Sequence, residues 1–227
     1  MFVDIRHFYS NGWRVALVGL WGLCQNPSSA DVVPQRQRMV FRRKYFLFYF
    51  LTCMAGARRQ IFIAFSVFLL VKEFDCSVTQ VAALFVVNNL INYFVSPMIG
   101  RAIVRFGERK VLSLEYGSLI AVFLGYAWAD SLWVVMGLYV IDHILFSFAM
   151  AIRTYFQKVA DPRDVAPSMA VGFTINHVAA VVMPVIGGAL WMIDYSIPFI
   201  AGSIMSGISL VAVQWIRTDV SGIKNPA

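Results

Sequence analysis

The chain has 227 residues, of which 59% are hydrophobic and only 14% are charged. Soluble domains average about 25% charged and about 45–50% apolar residues, so a soluble core could not bury this excess of apolar side chains. The composition therefore predicts an integral membrane protein. The net charge of +7 would suit a nucleic-acid partner, but the basic residues follow a membrane topology, and we expect no nucleic-acid partner.

Residues 1–43 are predicted to be a cytoplasmic linker or the remnant of a truncated span. Their apolar stretch, VALVGLWGLC at residues 15–24, is shorter than the roughly 20 residues that cross a bilayer. It could be a signal-peptide core, because SSA at residues 28–30 resembles a cleavage site. Cleavage there would leave the basic stretch QRQRMVFRRK on the outer side, against the charge rule. We therefore favour an interfacial segment or a span remnant.

Six apolar segments follow within residues 44–217, and residues 218–227 are predicted to be a cytoplasmic tail. Short breaks that carry charge or turn residues separate the segments. The predicted spans are 45–71, 78–99, 111–129, 132–152, 169–191 and 197–216. The predicted fold class is an all-α integral membrane protein with six transmembrane helices.

Lysine and arginine set the expected orientation of the chain. Most of the 19 basic residues lie before the first span, in the second and fourth connections, or after the last span, and Arg153 is counted with the fourth connection. The opposite connections hold mainly acidic residues, among them Asp130 and Asp194. Basic loops remain on the cytoplasmic side. Both termini are therefore expected to be cytoplasmic, and the membrane to be a bacterial inner membrane.

Four of the six spans carry polar side chains near mid-depth, where such groups are costly and usually functional. They are Arg58, Arg59 and Gln60 in the first span, Asn88, Asn89 and Asn92 in the second, Asp142 and His143 in the fourth, and Asn176 and His177 in the fifth. The third and sixth spans lack such a cluster. Glu115 is interpreted as an interfacial carboxylate in the first turn of the third span. The first, second, fourth and fifth helices are therefore predicted to line a polar cavity, with the other two outside it.

Arg58 and Arg59 are the most costly of these residues to place in a membrane, since inserting an arginine at this depth costs about 2.5–3.5 kcal/mol. Neighbours on a helix point about 100° apart, so the two cannot face one spot. Asp142 is interpreted as the only acid at comparable depth and as the partner of one arginine. The other is expected to meet an anionic solute or an acid of another protein half. Arginine does not release its proton, so Asp142 and His143 are the proton-coupling candidates.

The stretch GRAIVRFGERK, between the second and third spans, resembles the signature loop of the major facilitator superfamily, G-x-x-x-D-R-x-G-R-R/K. Val104 stands at the acidic position and departs from the pattern. In the family the loop joins helices two and three and recurs in weaker form between helices eight and nine, which the missing acid fits better. The pattern is approximate, and the matching residues are Gly100, Arg105, Gly107, Arg109 and Lys110, the last two following Glu108 one position late.

This resemblance covers residues 36–217 and implies the carboxy-terminal six-helix half of a secondary transporter. Two such bundles rock about a central site to alternate access between the two sides of the membrane. The chain would then pair with a separate half or a second copy, or be an inactive truncated fragment. The signature residues would help to latch the cytoplasmic side. The expected function is transport of a small solute, coupled to protons.

Two other readings compete with transport. In the first, the protein is a non-transporting membrane scaffold whose asparagines and histidines form hydrogen bonds between helices. In the second, it is a membrane enzyme whose two intramembrane histidines and Asp142 bind a metal, but HExxH and GxSxG motifs are absent from the sequence. We expect membrane lipid and a small-molecule solute as partners, and no enzymatic activity, cofactor or metal.

Overall fold

The structure is a computed structural model that describes Met39 and residues 41–216, all within one compact unit, Gln35–Ala227. The expectations for residues 15–24, 28–30 and 218–227 lie outside the described residues. Within the described part, the secondary structure is helical and no strand is present. Six helices are long and apolar enough to cross a membrane, which confirms the predicted fold class.

The six spanning helices are numbered here in chain order. They are α1 (Arg43–Lys72), α2 (Val78–Phe106), α3 (Glu108–Ala127), α4 (Leu132–Val159), α5 (Pro162–Trp191) and α6 (Ser196–Val213). Three of them contain local departures from α-helical geometry, among them a 3₁₀ turn at Pro162–Asp164 where α5 begins. α1 widens into a π-helical segment at Phe62–Ser66, where the Ser66 hydroxyl donates to the Phe62 carbonyl. α4 tightens into a 3₁₀ turn at Ser147–Ala149.

Short polar caps start several of the helices. Ser77 and Gln80 form a capping box before α2, in which the Gln80 N–H donates to the Ser77 hydroxyl and the Ser77 N–H donates to the Gln80 side chain. The Asp194 carboxylate accepts the Ser196 N–H at 2.7 Å where α6 begins. Hydrogen bonds from the Ser196 side chain and backbone lower the pKa of Asp194. These caps satisfy N–H groups that have no partner within the helix.

The prediction that residues 100–110 form a loop is wrong. Residues 100–106 continue α2, and residues 108–110 already belong to α3, so Gly107 alone separates the two helices. The reason is that Ile103 is buried in the bundle and keeps the helical spacing, while the long Arg101 and Arg105 side chains extend outward from the same helix. Gly107 has φ +82° and ψ 157°, a backbone conformation that glycine adopts readily and other residues do not.

The helices pack mainly in two pairs, α1 along α5 and α3 along α6, with α1 also against α6 and α3 also against α4. Aromatic side chains fill much of the space between them, for example Phe48 stacked on Phe156 with ring centroids 3.9 Å apart. Gly187 of α5 lets the Phe65 ring approach, because a Cβ there would lie 2.4 Å from it. α2 and α5 are the least buried helices, so they form the open face of the bundle.

Ion pairs and hydrogen bonds join the helices at one end, called here the basic end because it holds Arg42, Arg109 and Lys158. Lys158 Nζ of α4 lies 2.5 Å from Glu108 Oε1 of α3. Arg42 Nε lies 3.2 Å from Asp164 Oδ2, and that oxygen also accepts the Tyr45 hydroxyl at 2.9 Å. These contacts tie α3 to α4 and α1 to α5.

Replacing Gly107 by alanine should destabilise the protein by about 1–3 kcal/mol, because the added Cβ is disfavoured at φ +82°. The matched control is Gly100→Ala, which lies inside α2 and, like Gly107, has nothing within 4 Å of an added Cβ. That change should leave stability unchanged or raise it by up to about 1 kcal/mol. Thermal unfolding in detergent compares the two variants. Equal midpoints would show that the Gly107 conformation imposes no constraint.

Candidate functional site

The structure separates the two neighbouring arginines of α1. Arg58 is only 3% exposed and points into the core, where its guanidinium carbon lies 4.3 Å from the centroid of the Tyr116 ring. Arg59 is exposed, and its guanidinium carbon lies 4.3 Å from the Phe146 ring centroid. Both positions are favourable cation–π contacts. Arg58 therefore belongs to the core, and Arg59 lies on the exposed side of α1, called here the open side.

Arg58 shares a cavity of about 20 Å³ with two carboxylates, Glu115 of α3 and Asp142 of α4. The two acids are 2% and 3% exposed. The charge of Arg58 acts on both, and the two acids repel each other. Among the described residues, no ion pair within 4 Å includes any of the three. Arg58 Nε and Nη1, Glu115 Oε2 and Asp142 Oδ2 likewise find no hydrogen-bond partner in the described part of the chain.

Two interpretations of the sequence are therefore wrong: Glu115 is not interfacial, and Asp142 is not the only acid at this depth. Because α3 begins at Glu108, Glu115 lies two turns inside the helix rather than in its first turn. α3 also contributes to the polar centre and does not stand outside it. The spacing of residues along α3 could have shown that Glu115 is buried. It falls in a three- and four-residue repeat, the spacing of a buried helix face, with Val111, Leu112, Tyr116 and Leu119.

A second basic residue, Arg153 of α4, faces the same side as Arg59. The two guanidinium groups lie near enough for their charges to repel. They line a cavity of about 80 Å³ with Thr52 and Asn176, and a neighbouring cavity of about 230 Å³ is lined by Arg153, Thr52 and Asn176. No acidic residue lines either cavity in the described structure. The sequence-based prediction placed Arg153 in a connection and so missed its place beside Arg59. Arg153 lies within α4, because this helix continues to Val159.

An aromatic cavity of about 170 Å³ lies on the other side of Arg59. It is lined by Arg59, Phe62, Ile63, Phe85, Tyr139, His143 and Phe146. His143 is half-buried there, while the adjacent Asp142 faces the core cavity with Arg58. The two proton-coupling candidates therefore point into different cavities, and Arg59 lines both.

The remaining candidates are dispersed. Asn88 is 1% exposed, and both of its amide atoms lack a partner within the described residues. Asn89 is exposed and donates to the Phe85 carbonyl at 2.8 Å. Asn92 accepts from Ser96 at 2.9 Å and from Ser147 of α4 at 2.7 Å, so it joins two helices.

Three candidates remain, one on α1 and two on α5. Gln60 is half-buried in α1, and His177 is exposed on α5 with its ring centroid 4.1 Å from that of Phe173. Asn176 is half-buried and sits against Gly56, where an added Cβ would lie 2.1 Å from its side-chain oxygen. Asn176 is thus the candidate on α5 that the structure brings together with Arg59.

The signature residues surround the junction of α2 and α3. Arg109 donates two hydrogen bonds to the Gln214 side-chain oxygen, at 3.2 and 3.0 Å, and so connects α3 to the end of α6. Arg105 and Lys110 are exposed, and Gly100 lies within α2. Glu108, an acid that was not among the predicted signature residues, also lies at this junction and forms an ion pair with Lys158.

Residues 16–227 match the family model described as Major Facilitator Superfamily. The chain therefore belongs to the major facilitator superfamily, and the predicted resemblance is confirmed. Members of this family are transporters that sit in lipid membranes and bind small-molecule solutes. Comparison with curated proteins and with solved structures finds no match. Within the described residues, no group of three or more His, Cys, Asp or Glu side chains is placed to hold a metal ion.

The different burial of the two arginines gives a stability prediction. Arg58→Met should destabilise the protein by about 3–5 kcal/mol, because it leaves two buried acids without their counter-charge. Arg59→Met should change stability by less than about 1 kcal/mol, since Arg59 is exposed. Thermal unfolding of both variants in the same detergent makes the comparison. A loss for Arg59→Met as large as that for Arg58→Met would contradict this assignment.

Proposed function

We propose that this major facilitator superfamily protein transports a small organic anion and couples the transport to protons. The observation that carries the proposal is the position of Arg59 and Arg153, two neighbouring guanidinium groups on cavities without an acidic lining residue. Like charges that lie close together repel, and a bound anion would offset that repulsion. Guanidinium groups also bind carboxylates and phosphates in a bidentate geometry.

The surroundings of Arg59 suggest the rest of the solute. Thr52 and Asn176 offer hydrogen bonds on one side, and the rings of Phe62, Phe85 and Tyr139 line the cavity on the other. Pockets of this kind bind the apolar part of a ligand by contact and orient it through a few polar groups. We infer that the solute combines an anionic group with an apolar body.

Proton coupling is assigned to the core cavity rather than to the solute cavities. Asp142 is buried beside Arg58. Because arginine keeps its proton, the Asp142 carboxyl group would take up and release the coupled proton. His143 lies in the aromatic cavity with Arg59 and would sense the solute there. Asn89, which donates to the Phe85 carbonyl, is proposed to support the aromatic cavity from α2.

We propose that a second six-helix half, or a second copy of the chain, covers α2 and α5. Exposed apolar side chains such as Tyr93 and Val185 would also suit lipid. Asn89 and His177, however, are exposed polar residues near mid-depth on these helices, and lipid would not solvate them. A protein partner would enclose the solute between two bundles. The proposed setting is a bacterial inner membrane, with both termini, a linker at residues 1–43 and a tail at residues 218–227 in the cytoplasm.

The bond between Asn92 and Ser147 favours a second candidate function, that of a non-transporting scaffold. There the polar residues would hold helices together. A stable homodimer that shows neither flux nor stabilisation by any solute would support this alternative.

Removing either open-side arginine should weaken anion binding. Benzoate serves as the probe, with benzamide as the neutral probe of the same shape and acetate as the anion without an apolar body. Benzoate should raise the thermal midpoint of the full chain more than either of the other two. Arg59→Met and Arg153→Met should each raise the Kd for benzoate about 10–100-fold, the effect of losing a charged hydrogen bond worth about 1.5–3 kcal/mol.

Arg163→Met is the matched control for these variants, because Arg163 is exposed at the basic end and lines neither cavity. It removes the same charge and should leave benzoate binding unchanged. Equal stabilisation by benzamide, or an equal loss in Arg163→Met, would contradict a specific anion site.

A further inference from the structure

Four charged side chains line the core cavity, and three of them are buried, one from each of three helices: Arg58 of α1, Glu115 of α3 and Asp142 of α4. Each is at most 3% exposed. An ordinary ion-pair network would satisfy the guanidinium directly. Here two guanidinium nitrogens and one oxygen of each acid have no hydrogen-bond partner among the described residues. One carboxylate oxygen of each acid can therefore bind a proton inside the bundle.

We propose that Glu115 and Asp142 share one proton beside Arg58, so that Glu115 carries the coupled proton together with Asp142. With both acids ionised, the three groups carry a net charge of −1, and with both protonated they carry +1. One proton makes the group neutral, which is the favourable state where water is scarce. Because the two acids repel each other, the proton belongs to the pair and not to one residue.

Among the described residues, Arg59 is the other charged group that lines this cavity. Tyr116, Tyr126 and Tyr139 face the acids from α3 and α4, and their phenols are uncharged near neutral pH. α6 contains no ionisable side chain between Ser196 and Val213. The ionisable residues of α2, which are Tyr93, Arg101 and Arg105, are exposed, as is His177 of α5. Arg59 lines the cavity edge but is exposed toward the cavity that it shares with Arg153, so its charge acts on the acids more weakly than that of Arg58. His143 lies in the aromatic cavity.

The role of this proton in coupling rests on the proposed function, but the shared proton itself does not. Infrared spectroscopy of the full chain in lipid tests it directly, because a protonated carboxyl has a C=O stretching band that an ionised one lacks. At neutral pH the wild-type protein should show this band, shifted in heavy water. Absence of the band in the wild-type protein would overturn the proposal without any variant.

Variants then assign the band. Glu115→Gln and Asp142→Asn each leave one acid with Arg58, a neutral pair that needs no proton, so either change alone should abolish the band. A band that survives in one of them would overturn sharing, because the proton would then belong to the remaining acid alone. The matched control is Glu108→Gln, which removes an acid that is equally buried but paired with Lys158. It should leave the band in place.

Two further measurements complete the test. The double variant Glu115→Gln/Asp142→Asn leaves Arg58 without a counter-charge and should unfold at a lower temperature than either single variant. If Na⁺ stabilised the protein independently of pH and the carboxyl band were absent, the site would bind a metal cation instead of a proton. That result would overturn the proposal. Solute flux enters none of these readouts, so a chain that transports nothing would still show the shared proton.

Discussion

The buried positive charge of Arg58 is the constraint on which the rest of this bundle depends. It lies between three helices, with the Tyr116 ring 4.3 Å from its guanidinium carbon and with Glu115 and Asp142 lining its cavity. An unpaired charge at this depth would be expelled or would destabilise the fold. α3 and α4 each bring an acid to α1, and one ionised acid is enough to balance the charge of Arg58. Balancing the charge of Arg58 therefore also favours the packing of α3 and α4 against α1.

Helical geometry places a second arginine next to the first but in a different environment. The angle of about 100° between neighbours directs Arg58 into the core and leaves Arg59 on the open side near Arg153. Arg59 also lines the core cavity. In the proposed mechanism, an anion bound at Arg59 would reduce the positive field at Glu115 and Asp142 and so favour their proton. Solute and proton would then bind with positive cooperativity, as symport requires.

The sequence predicted what periodicity and charge can determine. Runs of apolar residues located six helices, and the residues around Gly107 indicated the family, which the match over residues 16–227 confirms. Helix ends were harder to place, because basic residues continue helices beyond the apolar stretch. That error assigned Arg153 to a connection and Glu115 to a first turn. The environments of Arg58 and Arg59 depend on neighbours distant in sequence, so only the packed structure separates them.

Transport of an organic anion driven by a proton gradient is the central claim, and flux into proteoliposomes tests it most directly. The full chain, supplied with a partner half if it does not assemble alone, should accumulate labelled benzoate when an inward proton gradient is imposed. A protonophore should abolish the accumulation, and Asp142→Asn should uncouple it from the gradient. Benzoate entry at the rate of protein-free liposomes, or at a rate unaffected by the gradient, would contradict the account.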